Sequence, residues 1–125
     1  GLEVDALDGR PGVWSARYAG PDATDADNNA KLLAELAGVP DARRTARYRC
    51  VIAFVRSADD PETLLAQGAW EGRIGDALQG SGGFGYDPLF WPAGLAMTAA
   101  QMEPAAKNAV SHRGLALAEL MRKLG

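Results

Sequence analysis

The stretch that most constrains the fold is Thr45-Ala-Arg-Tyr-Arg-Cys-Val-Ile-Ala-Phe-Val-Arg56. Polar and apolar side chains alternate at its start, the period of a strand, and the run then becomes continuously apolar, as expected of a strand centre buried on both faces. Asp59-Asp60-Pro61 supplies turn chemistry, and Thr63 to Arg73 reads as a second strand. The two form a hairpin, and the remainder of the chain is read around it.

Leu2, Val4 and Ala6 alternate with polar neighbours, so residues 2–7 are expected to form a short strand, followed by a loop through Asp8-Gly9-Arg10-Pro11-Gly12. Residues Val13 to Tyr18 read as extended and partly aromatic. Thr24 is the expected N-cap of a helix over residues 25–37, which Gly38 and Pro40 stop. Residues 75–94 are rich in loops, with six glycines between Gly72 and Gly85. A final helix is expected from near Glu103-Pro104 to Leu124, with Leu115, Leu117, Leu120, Met121 and Leu124 largely on one stripe. Strands and helices interleaved in this order predict an α/β layered domain.

Composition narrows the class. With 47% hydrophobic and 23% charged residues, the 125-residue chain reads as one folded domain rather than a disordered one. The longest apolar run, Cys50 to Val55, is too short to span a membrane. A net charge of −3 argues against wrapping a nucleic-acid backbone but leaves room for a small anionic ligand. A single Cys50 offers neither a disulfide framework nor a thiolate cage, reads as a buried small hydrophobe, and suits a reducing compartment.

Two segments could carry chemistry. In Gly80-Ser81-Gly82-Gly83-Phe84-Gly85-Tyr86-Asp87-Pro88, glycines let backbone approach a ligand, and their N–H groups could bind an oxyanion. Phe84 and Tyr86, two apart in an extended segment, would turn both rings to one side as a surface for a flat ligand. The plainer reading, a tight turn with two core aromatics, has equal weight on pattern alone. The second segment is Lys107-Asn108-Ala109-Val110-Ser111-His112-Arg113. On one helix it would gather one of three lysines, the sole His112 and Arg113 within about a turn; a solvated helix face is the alternative. Asp25, Asp27, Glu35, Asp59, Asp60 and Glu71 lack a paired spacing for a metal or acid–base site and read as caps, turns and surface charges. Arg47 and Arg49 alternate on one solvated strand face.

Gly1-Leu2-Glu3-Val4-Asp5-Ala6-Leu7, Pro11-Gly12-Val13-Trp14-Ser15-Ala16-Arg17-Tyr18, Gly82-Gly83-Phe84-Gly85-Tyr86-Asp87-Pro88 and Ser111-His112-Arg113 occur in that order. Together they closely resemble the non-canonical purine nucleoside triphosphate pyrophosphatases, the Ham1-like inosine/xanthosine triphosphate pyrophosphatases, along the entire chain. The resemblance implies an α/β fold with a mixed central sheet flanked by helices, two lobes around a nucleotide cleft, and a cytoplasmic homodimer. It implies Mg²⁺-dependent hydrolysis of ITP, dITP and XTP to the monophosphate and pyrophosphate. By matching motif, Phe84, Gly85, Tyr86 and Asp87 would contact the substrate, with aromatic stacking on the base, and Lys107, His112 and Arg113 would complete the site. Donors from the latter three would satisfy the 6-oxo group of hypoxanthine or xanthine and would face the amino group of adenine donor to donor.

The family pattern also includes an N-terminal segment with a Thr/Ser-x-x-Asn-x-x-Lys phosphate motif, a metal-binding Glu, and an Asp-Asp-Ser/Thr directly before the Gly-Leu that opens this chain. None of these is in the sequence. The second Asp of that pair is the family's proposed general base and a Mg²⁺ ligand. Residues 1–125 are therefore expected to be the C-terminal portion of a single nucleotide pyrophosphatase domain. This portion would hold the base-recognition half, with no catalytic or metal-binding residue of its own, and would be inactive by itself. The alternatives are a non-catalytic nucleotide-binding module and, less favoured by the two motifs, a pyrophosphatase for modified pyrimidines.

Overall fold

The computed structural model describes residues 1–54 and 64–124, without the side chains at 54, 64, 109, 110, 112 and 113. Its strands are β1 (Leu2–Val4), β2 (Pro11–Gly12), β3 (Thr45–Phe54), β4 (Leu64–Ile74) and β5 (Phe90–Pro92). Its α-helices are α1 (Asp25–Glu35), α2 (Pro104–Val110) and α3 (His112–Leu124). The strands form one sheet in the order β2-β1-β3-β4-β5, and α3 packs against β3 and β4.

The expected hairpin is the backbone of this sheet, with β3 and β4 in register from Thr45↔Arg73 to Phe54↔Leu64. Val55, Arg56 and the turn expected at Asp59-Asp60-Pro61 lie outside the described residues. β1 lines up on the other edge of β3, Leu2 opposite Tyr48, and β5 pairs the end of β4, Ile74 opposite Phe90. The α/β layering is as expected, and all four pairings are antiparallel. The parallel neighbour that makes a sheet mixed is not among the described strands; such a neighbour needs a long crossover.

Burial alternates along the hairpin. Ala46 and Tyr48 of β3 and Ala66, Trp70 and Ile74 of β4 face the core, while Thr45, Arg49, Leu65, Gln67 and Glu71 are exposed. The apolar centre of β3 is thus not buried on both faces: Val51 is 56% exposed and Cys50 is only half-buried. Helices and core cover one side of the sheet and leave the other to solvent, which overrides the one-dimensional apolar pattern. On the open side Arg47 donates to Asp5 at 3.0 Å and Glu71 at 2.9 Å, and Arg49 pairs with Glu3 at 3.2 Å, as expected of a solvated face.

The core joins Leu2, Val4, Leu32, Leu36, Leu89 and an aromatic cluster. Phe90 lies 4.8 Å from Tyr48 and 5.2 Å from Trp70 between centroids, both tilted, the geometry that favours ring quadrupoles. β5, read as loop in the sequence, owes its place to Phe90. Arg44, also buried, donates to the carbonyls of Leu36, Val39 and Gly75, tying the end of α1 to the end of β4.

Elsewhere the local expectations hold unevenly. α1 begins as expected, Thr24 and Asp27 exchanging side-chain and backbone bonds in a capping box, and stops at Glu35, two residues early. The first strand ends at Val4, and Asp5–Leu7 form a 3₁₀ turn. Val13 to Tyr18 is not extended. Pro11–Gly12 already pairs with β1, and Ser15 Oγ donates to the Gly12 carbonyl at 2.6 Å while accepting the Leu2 N–H at 2.9 Å, turning the chain into a 3₁₀ turn at Ser15–Arg17. The single closing helix is two, because Ser111 adopts ψ 160° between α2 and α3.

Candidate functional site

A cleft of about 910 Å³ opens where the Gly82–Asp87 loop, the first turn of α1, β1 and the α2–α3 junction converge. The loop is built by two glycines in the left-handed region, Gly83 at φ +71° and Gly85 at φ +60°. Around Gly85 the path reverses, so that Tyr86 is 3% exposed and Phe84 is 56% exposed. The two rings therefore do not share a side; in a turn the period of two no longer applies. Tyr86 is the anchor, its hydroxyl donating to the Ser15 carbonyl at 2.7 Å, and burial raises its pKa above the usual phenol value. Phe84 remains at the cleft surface with the Lys107 ammonium 4.9 Å from its centroid.

Asp87 ties the loop to α2. Its carboxylate, almost fully buried, accepts the Phe84 N–H at 3.0 Å and forms an ion pair with Lys107. Burial, helped by the charge of Asp87, drives the Tyr48 phenol well above its ordinary pKa, so Tyr48 stays protonated in the wall of the cleft. A side chain at position 83 would strike the Asp87 carboxylate and lie 3.0 Å from the Lys107 ammonium, so glycine is required there for space as well as for φ.

Several of the loop N–H groups that the glycines offered to an oxyanion already have protein acceptors. The Gly82 N–H is donated to the Ala100 carbonyl at 3.2 Å, that of Phe84 to Asp87, and that of Gly85 to Asp25 Oδ2 at 2.9 Å. The Asp87 N–H likewise donates to the Phe84 carbonyl at 3.2 Å, and the loop offers a ligand an aromatic face beside a lysine. The chemistry fits a flat heterocycle over Phe84, with the ammonium as hydrogen-bond donor.

Phe84, Gly85, Tyr86, Asp87 and Lys107 all line this cleft. The backbone of His112 and Arg113 opens α3 directly after Ser111, another lining residue, but their side chains lie outside the described residues. They do not share a helix with Lys107, which lies on α2. The kink at Ser111 is closed by the Leu115 N–H donating to the Ser111 carbonyl at 2.8 Å and the Gly114 N–H to Ser111 Oγ at 3.2 Å. Gly114 permits the kink: a Cβ there would collide with the Asn108 carbonyl.

Asp25, Asn28, Asn29 and Ser15 escaped the sequence reading. Asp25 looked like a cap charge, and the Asp25-Ala26-Asp27-Asn28-Asn29 cluster was readable only as a helix start. Among the described residues no group of three or more His, Cys, Asp or Glu side chains gathers as for a metal ion. Asp87 and Asp25 already accept donors of the loop and Lys107. These residues do not fit a Mg²⁺ site.

A model of the Ham1 family matches residues 1–123. The chain belongs to the Ham1 family. Its residues are 58% identical over 124 positions to a dITP/XTP pyrophosphatase of Methylococcus capsulatus, an alignment covering 99% of this chain and 62% of that relative. Against a dITP/XTP pyrophosphatase of Thioalkalivibrio sulfidiphilus the identity is 53%, with 99% and 63% covered. The solved structure of a HAM1 protein from Coxiella burnetii superposes with a TM-score of 0.92 at 46% identity, covering 99% of this Ham1-family chain and 63% of the other. The chain thus spans a little over three fifths of the length of the relatives it matches.

Proposed function

We propose that this Ham1-family chain carries the base-recognition part of a nucleoside triphosphate pyrophosphatase acting on dITP, ITP and XTP. The observation that carries the reading is the exposed Phe84 ring, held between the Gly83 and Gly85 turns and flanked by a lysine whose partner is the buried Asp87. Relatives named dITP/XTP pyrophosphatase at 50–58% identity support it. In this reading the base stacks on Phe84, while Lys107, His112 and Arg113 supply donors that suit a 6-oxo purine and lose their partner against the adenine amino group. Gly85, Tyr86 and Asp87 hold the loop in that pose. Residues 1–125 act as the C-terminal portion of the pyrophosphatase domain, and the enzyme works as a cytoplasmic homodimer.

Mg²⁺ belongs to the proposal as the family's metal, supplying charge neutralisation at the triphosphate. The described residues offer it no ligand set of three or more His, Cys, Asp or Glu side chains.

The test is Mg²⁺-dependent pyrophosphate release from inosine and adenosine triphosphates, run on this chain and on a version extended to the full length of its relatives. Release from inosine triphosphate by the extended version alone is the expected outcome. Equal rates on adenosine triphosphate would remove the base-selection argument, and an inactive extended version that still binds inosine nucleotides would favour a binding module.

A further inference from the structure

Resting on the reading of the cleft as a nucleotide site, we infer that Asp25 and Asn29 are positioning residues that fix Phe84 in its stacking pose by gripping the backbone of Gly85 from both ends. The two residues stand one turn apart on α1, an i, i+4 pair that projects to the same side of the helix. Asp25 Oδ2 accepts the Gly85 N–H at 2.9 Å, and Asn29 Nδ2 donates to the Gly85 carbonyl at 3.1 Å. Gly85 is the residue that needs holding. Its φ of +60° turns Phe84 outward and Tyr86 inward, and no atom lies within 4 Å of where its side chain would be. Packing therefore does not restrain the peptide on that side; the two bonds from α1 do.

Asn29 makes its contact from inside the protein. It is 4% exposed, and its Nδ2–H donation to the Gly85 carbonyl at 3.1 Å orients the buried amide. Asp25 lines the cleft directly, and together with Asp87 it takes two successive loop N–H groups, those of Gly85 and Phe84. The backbone that carries the ring is thereby held from α1 at Gly85 and by Asp87 at Phe84.

Two measurements on this chain test the assignment. Amide exchange at Gly85, followed by NMR, should quicken about tenfold or more in Asp25→Ala and remain near wild type in Asp25→Asn, which keeps an acceptor oxygen. Affinities for inosine 5′-monophosphate and ribose 5-phosphate, compared as a ratio, report the contribution of the base alone. The ratio should fall about tenfold in Asp25→Ala and in Asn29→Ala and be restored in Asp25→Asn. A merely structural role would weaken both ligands together and leave the ratio unchanged, and that result, or unaltered exchange at Gly85, overturns the inference. If the wild-type chain binds the two ligands equally, the nucleotide reading itself fails, and exchange at Gly85 still decides whether Asp25 holds the loop.

Discussion

Replacing Lys107 by Met tests how the cleft is held together. The thioether keeps most of the apolar stem against Phe84 and removes the ammonium, leaving the buried Asp87 carboxylate with its Phe84 N–H bond of 3.0 Å. Breaking a buried ion pair from one side costs about 3–5 kcal/mol, because the remaining charge is left uncompensated. The Asp87 side chain is 5% exposed and that of Lys107 17%, so water can reach part of the site and the low end applies. The expected loss is about 3 kcal/mol, including roughly 0.5–1 kcal/mol from the cation–π contact. With a urea m-value of about 1.5–2 kcal/mol per M, the unfolding midpoint should drop by roughly 1.5–2 M. Adding Asp87→Asn removes the stranded charge, so the double variant should be more stable than Lys107→Met alone, a coupling read directly from the double-mutant cycle. A loss below about 1 kcal/mol, or strictly additive effects, would refute the claim that the pair braces the loop.

Two further outcomes follow from the same geometry. Gly114→Ala would force a methyl into the Asn108 carbonyl at the α2–α3 kink; a destabilisation of about 2 kcal/mol or more is expected, measured by thermal melting, with the cleft opened at Ser111. Burial and its bond to Glu35 push the Tyr18 phenol up to about 12, above an unfolded value near 10. The folded state then holds the proton more tightly than the unfolded chain. Stability present below pH 10 should therefore fall as pH rises from about 10 to about 12, and Tyr18→Phe should flatten that part of the urea-midpoint profile.

Local rules made the elements of short range legible. The Thr24 N-cap and the early alternation of β3 at Ala46 and Tyr48 depend on neighbours a few residues away, which a sequence displays. The residues of the cleft were legible for a different reason: the Gly82–Asp87 and Ser111–Arg113 motifs matched a family, so their grouping was borrowed rather than derived. Where reasoning relied on period alone it failed. Phe84 and Tyr86 were placed on one side because an extended backbone was assumed, and Gly85 reverses it. A single closing helix would carry both Lys107 and His112, whereas Ser111 at ψ 160° divides it and Gly114 leaves room for the close approach to Asn108.

By itself the sequence determined which residues can turn, cap, pair and stack, since these are properties of single side chains and their neighbours. Tertiary structure alone decided which face of β3 is buried, because that depends on where α3 lies. It likewise decided that Asp25 and Asn29 reach across 60 and 56 positions to hold Gly85. It gave the Gly82, Phe84 and Gly85 N–H groups protein acceptors on 3₁₀-turn, loop and α1 residues that lie far along the chain or across the turn, which no local pattern displays.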